Sequence, residues 1–176
     1  SKRTIENCTV GLLGVPYDGT SCFRPGSRFG PSAIREISTG IETYCPQLDL
    51  DLDDLNFTDL GSLNVPLGDP TSTIKCIKNA TSKLLNHNLK PLIIGGEHSI
   101  TTGVIEAMIK DYPNLIMLQL DAHADLRDEW LGNKHSHACT MKRCLELLPS
   151  KKILQVAIRS GTKSEFKEMN QHETLI

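Results

Sequence analysis

Leu115-Ile116-Met117-Leu118-Gln119-Leu120-Asp121-Ala122-His123-Ala124-Asp125 opens as an apolar run and closes with acid, imidazole and acid at alternate positions. A short apolar run without alternation reads as a strand buried on both faces, as in a parallel sheet with helices above and below. In such sheets, ligands gather at the carboxyl ends of the strands. Residues two apart on extended chain point the same way, so Asp121, His123 and Asp125 can face one pocket. Fully extended, Asp121 and Asp125 would stand about 13 Å apart, too far to share one ion with ligands at about 2.1 Å. Two ions about 3.5–4 Å apart, with a chain that bends after the strand, fit better. The sequence therefore predicts a curved loop and a two-metal centre; the competing reading is a solvated acidic turn.

The 176 residues suit one domain, 1–176, with a sizeable core. Hydrophobic residues make up 39% and charged residues 23%, and the net charge is −2. That balance gives no reason to expect nucleic acid or an anionic membrane as partner. No apolar run approaches the ~18 residues of a membrane span. The first residues, Ser1-Lys2-Arg3-Thr4, open no signal-peptide core. The six cysteines are scattered without a C-x-x-C pair, so they read as reduced thiols of a cytoplasmic protein.

Working outward, Val10–Val15 is a strand candidate followed by a turn at Pro16-Tyr17-Asp18-Gly19-Thr20. Arg24-Pro25-Gly26-Ser27-Arg28-Phe29-Gly30-Pro31 is loop, and Pro31 suits the first turn of a helix over Ser32–Ile37. The two arginines either bind an anion or hold the loop by bonding backbone carbonyls. Leu48 to Asp54 contains D-x-D without glycine or histidine and reads as an exposed acidic hairpin or loop. Phe57–Leu63 is a further short strand. Asp69-Pro70 opens a helix to about Asn88, with Ile74, Ile77 and Leu84 at helical spacing. Pro91–Ile94 is a buried strand that runs into Gly95-Gly96-Glu97-His98-Ser99, where a helix to about Lys110 begins. After the central strand come a helix over Thr140–Leu148 and a strand over Ile153–Ile158. The alternation predicts an α/β fold with a mainly parallel sheet.

His98 falls between strand and helix, as the Asp121–Asp125 ligands fall after a strand. Adjacent parallel strands would bring His98 beside Asp121, and the paired glycines would let the backbone approach a bound group. Glu97 would then orient a ligand from behind. His137, in Lys134-His135-Ser136-His137-Ala138-Cys139, can shuttle protons beside a metal, though spacing alone favours solvent exposure. Carboxylate and imidazole donors without thiolate suit manganese, or iron and zinc less distinctively.

Five blocks in order now identify a resemblance. Gly95-Gly96-Glu97-His98-Ser99, Asp121-Ala122-His123-Ala124-Asp125 and Ser136-His137-Ala138 resemble the three central motifs of the ureohydrolase family, which contains arginase and agmatinase. Gly14-Val15-Pro16-Tyr17-Asp18 and Arg24–Pro31 agree with its N-terminal segments. The likeness runs from about Val10 to Gly161 and is greatest to bacterial agmatinases. It implies a three-layer αβα arginase-like fold. It also implies two Mn2+ ions, with His98, Asp121, His123 and Asp125 as metal ligands and His137 as the proton-transferring catalytic residue. The reaction implied is hydrolysis of the guanidinium group of agmatine to putrescine and urea, in polyamine biosynthesis, by a cytoplasmic homo-oligomer (a trimer or hexamer). Guanidinobutyrate or arginine as substrate, or a non-catalytic metal-binding homologue, are the alternatives.

The sequence departs from the family's pattern in one respect. A later Asp-x-Asp-x-x-Asp-Pro strand, whose aspartates complete both metal sites, does not occur before Ile176. The chain is thus expected to be an N-terminal portion lacking the C-terminal third. About half of the metal-site carboxylates would be present, there would be no turnover on its own, and an apolar sheet edge would be left open.

Overall fold

The computed structural model describes residues 5–149 and 152–174. Along the chain lie β1 (Val10–Val15), α1 (Gly30–Ser38), β2 (Tyr44–Cys45), β3 (Leu50–Asp51) and β4 (Phe57–Ser62). Then follow α2 (Pro70–Asn86), β5 (Lys90–Gly95), α3 (Ile100–Asp111), β6 (Met117–Leu120), α4 (Thr140–Leu147), β7 (Ile153–Val156) and α5 (Lys163–His172). Strands β4, β1 and β5 pair in parallel in that order, β6 pairs in parallel with β7, and β2 with β3 forms a small antiparallel hairpin. The expected α/β class with a mainly parallel sheet is what the chain adopts, and the acidic segment, read as an exposed hairpin or loop, supplies the second strand of the small hairpin and the turn after it. None of its described helices is long and apolar enough to cross a membrane.

Alternation along β1 sorts its side chains between two helical layers. Leu13 packs with Leu84 and Leu89, and Val15 with Ile77 and Ile100, on the α2–α3 face. Gly14 faces the other way, where an added methyl would strike Ser62 and Pro31, so this site admits only glycine against α1. Helix α2 starts as its sequence predicts: the Asp69 side chain accepts from Ser72 N at 3.1 Å, and Pro70 occupies the first turn. Its Ile74, Ile77, Thr81 and Leu84 are buried at helical spacing. Arg35 on α1 grips β4 by donating to both Asp59 oxygens at 2.7 and 2.9 Å, to Ser62 Oγ and to the Gly61 carbonyl.

Three expectations need correction. First, β5 and β6 do not pair; among the described residues the parallel strands form two separate pieces. They are joined by α3, whose Ile100 belongs to the core with Val15 and Ile77, while Ile105 belongs to the core with Met117, Met141 and Ile153. Second, β6 is covered on one face only. Met117 and Gln119 are buried, whereas Leu118 and Leu120 are 57% and 73% exposed. Third, β7 stops at Val156, because Ala157 turns into the left-handed region at φ 68°. Helix α5 was not expected at all, although Thr162-Lys163-Ser164-Glu165 is a capping-box pattern, and that box forms.

Two measurements follow from this packing. The Arg35 hydrogen bonds, helped by one from Gly61 N and last by the Arg35 charge, hold the Asp59 carboxyl below its ordinary value against the opposing effect of burial. A depressed folded pKa gives stability that is present above the ordinary carboxylate range and lost as pH falls through the folded value. Both groups are partly exposed, so Arg35→Leu should cost about 1 kcal/mol or less at neutral pH. The cost should shrink in acid melts below about pH 3–4. Leu118→Thr with Leu120→Thr should reduce self-association of the chain in sedimentation, since these exposed leucines flank an unpaired strand edge.

Candidate metal centre

The two sheet pieces bring their carboxyl ends to one pocket of about 390 Å³. His98 enters it from the turn after β5, and Asp121 follows directly on β6. His98 Nδ1 lies 2.7 Å from Asp125 Oδ2 and 3.7 Å from Asp121 Oδ2. One ligand atom from each of His98, Asp121 and Asp125 falls within 4.8 Å of the others. Donors about 2.1 Å from a shared ion stand at most about 4.2 Å apart, so this trio needs only a small side-chain rotation to close on one cation. On the far side of Asp121, Oδ1 lies 3.7 Å from His123 Nδ1. Asp121 thus shows one oxygen to each histidine. His123 itself is 66% exposed at its side chain and stands outside the tight trio.

The bend expected after the strand is present. Asp125 has φ 51°, a left-handed conformation uncommon for a residue with a side chain, and this turns its carboxylate back toward His98. The loop from Asp121 is held by the segment after β7: Arg159 N and Ser160 N donate to the Ala122 carbonyl, and Ala124 N donates to that of Ser160. Behind it runs a buried amide chain that sequence reasoning missed. Gln119 Nε2 donates to Asp121 Oδ2 at 3.2 Å and to the His123 carbonyl, Gln155 Nε2 donates to Gln119 Oε1 at 2.7 Å, and Thr174 Oγ1 donates to Gln155 Oε1 at 2.8 Å. A polar residue in each of two apolar runs was the available signal. Burial raises the Asp121 carboxyl pKa. Hydrogen bonds from His123 N and Gln119, with His98 nearby, outweigh that and leave it below its ordinary value.

Other predicted residues find different neighbours. Glu97, expected behind a ligand, turns toward the β1 loop instead. Its carboxylate accepts from Thr20 N, Thr20 Oγ1, Ser21 Oγ and Ser99 Oγ. The Gly95-Gly96 turn serves the same approach: a side chain at Gly96 would collide with the backbone of Tyr17 and Val15. Burial, then Glu97, pushes the Tyr17 phenol up to about 12. Arg28 holds its loop through the Asp18 carboxylate at 2.5 Å, and not through carbonyls as expected. His137 is half-buried at the pocket wall, its backbone N donating to Thr20 Oγ1 at 2.9 Å, where spacing alone favoured exposure. Glu165, unremarked in the sequence, lines the pocket and accepts from Leu126 N and from Thr162.

The chain is 43% identical over 175 residues to the agmatinase of Bacillus subtilis, covering 98% of this chain and 60% of that protein. To the N(1)-aminopropylagmatine ureohydrolase of Thermococcus kodakarensis it is 40% identical over 162 residues, covering 91% and 54%. The crystal structure of the agmatine ureohydrolase of Thermoplasma volcanium superposes with a TM-score of 0.88 at 32% identity, over 99% of this chain and 58% of that one. The chain therefore spans less than two thirds of the length of these relatives. The family model for the arginase family matches residues 8–176, nearly all of the sequence. With that match, the shared fold and the motif residues gathered at the strand tips, the chain belongs to the arginase family.

Proposed function

We infer that this chain carries the N-terminal part of an agmatinase-type ureohydrolase, which hydrolyses the guanidinium group of agmatine to putrescine and urea. The observation that carries the reading is the convergence of His98, Asp121 and Asp125, with His123 on the second oxygen of Asp121. The donor set, imidazole and carboxylate without thiolate, fits manganese. His98, Asp121 and Asp125 would hold one ion, and Asp121 with His123 would contribute to the second. Two such ions act as Lewis acids and lower the pKa of a water toward about 7.

The protein's own groups supply alignment and proton transfer. Gln119, fixed by Gln155, keeps the Asp121 carboxylate turned between the two histidines. His137 stands at the same pocket, where its ring nitrogen would take a proton released by the attacking water and pass it to the departing amine. Agmatine carries no carboxylate, and the Asn-x-His-Gly segment with which arginase holds an amino-acid end is missing from this sequence. In this reading the protein is a cytoplasmic homo-oligomer, a trimer or hexamer, acting on a small guanidino substrate with neither nucleic acid nor membrane as partner. Carboxylates from the remaining length of the relatives would complete the centre.

Calorimetric titration of the chain with Mn2+ should show saturable binding that Asp121→Asn abolishes. Gln119→Leu should weaken that binding about 10- to 100-fold, the usual effect of losing a group that orients a ligand. In the full-length protein, urea release from agmatine with Mn2+ should fall to background in His98→Ala and in His123→Ala. Activity that survives His123→Ala would overturn the ligand assignment.

A further inference from the structure

Three groups outside the ligand set form a directed line into the pocket wall. The Glu97 carboxylate, 8% exposed, receives four donors: Thr20 N at 3.0 Å, Ser21 Oγ at 3.2 Å, Ser99 Oγ at 2.6 Å, and the Thr20 hydroxyl. A carboxylate accepts and does not donate, so the single Thr20 hydroxyl proton is committed to Glu97. Thr20 Oγ1 is left with acceptor capacity only. It uses one lone pair on His137 N at 2.9 Å. The other faces His137 Nδ1 at 3.2 Å. Two acceptors cannot bond each other, so that contact requires a proton on Nδ1.

We propose that Thr20 is a positioning residue: held in one direction by Glu97, it locks neutral His137 in the Nδ1–H tautomer and leaves the Nε2 lone pair free. Nε2 lies 3.8 Å from Cys22 Sγ, whose thiol can donate to it weakly, and both residues line the pocket that holds Asp121 and Asp125. A histidine that moves protons must present a bare nitrogen on the side of the reaction, and the bond made by the other nitrogen decides which one that is. The rival partner for Nδ1 is Ser136 Oγ, whose proton would impose the opposite tautomer. It stands farther off, at 3.4 Å against 3.2 Å for Thr20 Oγ1. The use of the free lone pair in ureohydrolysis rests on the proposed function, but the tautomer itself does not.

The test is nitrogen NMR of the chain with 15N-labelled histidine, at alkaline pH and without metal. His137 is identified among the six histidines by the signals missing in His137→Ala. The expected result is a protonated Nδ1 and an unprotonated Nε2 for His137. Thr20→Val, close in shape but without the hydroxyl, should lose that pattern, Thr20→Ser should restore it, and Ser136→Ala should leave it unchanged. An Nε2–H tautomer in the unmodified chain overturns the proposal whether or not any variant folds. So does an Nδ1–H pattern that persists in a folded Thr20→Val, or one lost only in Ser136→Ala. A full-length protein with the expected tautomer but no urea release from agmatine would sink the functional reading and leave this one standing.

Discussion

Helix α3 is the constraint on which the arrangement depends. It follows β5 after the short turn that carries His98 and ends a few residues before β6. Its first turn seals one core through Ile100, and its next turn seals the other through Ile105. Gly103 sets how closely it can lie on α2, since an added methyl would stand 2.6 Å from the Ile74 carbonyl. With no hydrogen bond between β5 and β6, the distance from His98 to Asp121 is set by this helix and by the turns at its two ends.

Much of this was legible in the chain. The apolar runs located β1, β5, β6 and β7, and the Asp69-Pro70 cap located α2, because strand burial and capping are local properties of a few residues. The trio of His98, Asp121 and Asp125 was legible for a related reason: a polar residue just beyond a buried strand has one end of the sheet to face. What could not be read was which distant partner a buried polar side chain away from the strand tips would find. Gln119 stands in an apolar run with nothing nearby in sequence to explain it, and its role emerges only with Gln155, 36 positions later. Glu97 looked like a companion of its neighbour His98, but the close packing of the β1 loop against Gly96 offers it Thr20 and Ser21 instead. The open face of β6 was unreadable because Leu118 and Leu120 are as apolar as any covered residue.

Around the pocket the supporting groups are uncharged amides and carboxylates already committed to hydrogen bonds. The amides of Gln119 and Gln155 transmit position without adding charge, and their burial makes each a donor or acceptor that must be matched. Glu165 ties the start of α5 to the Leu126 backbone, so a helix absent from the motif pattern helps to fix the loop that follows Asp125. Lys142 reaches Glu168 of the same helix at 2.6 Å, adding a surface link between α4 and α5. These contacts account for how a loop with a left-handed aspartate keeps one shape.

The lining of the pocket also has an electrostatic consequence. Glu97, Asp121, Asp125 and Glu165 place four acidic groups around it, against the single guanidinium of Arg127, which is stacked 4.0 Å from the Trp130 ring centre. Crowded like charges repel, and a bound divalent ion would offset part of that repulsion. An ion that enters only the folded form shifts the folding equilibrium by mass action, by about 2.7 kcal/mol at a hundredfold excess over its dissociation constant. The thermal endurance of such a protein, and so its lifetime in a cell, would rise and fall with the local supply of the metal.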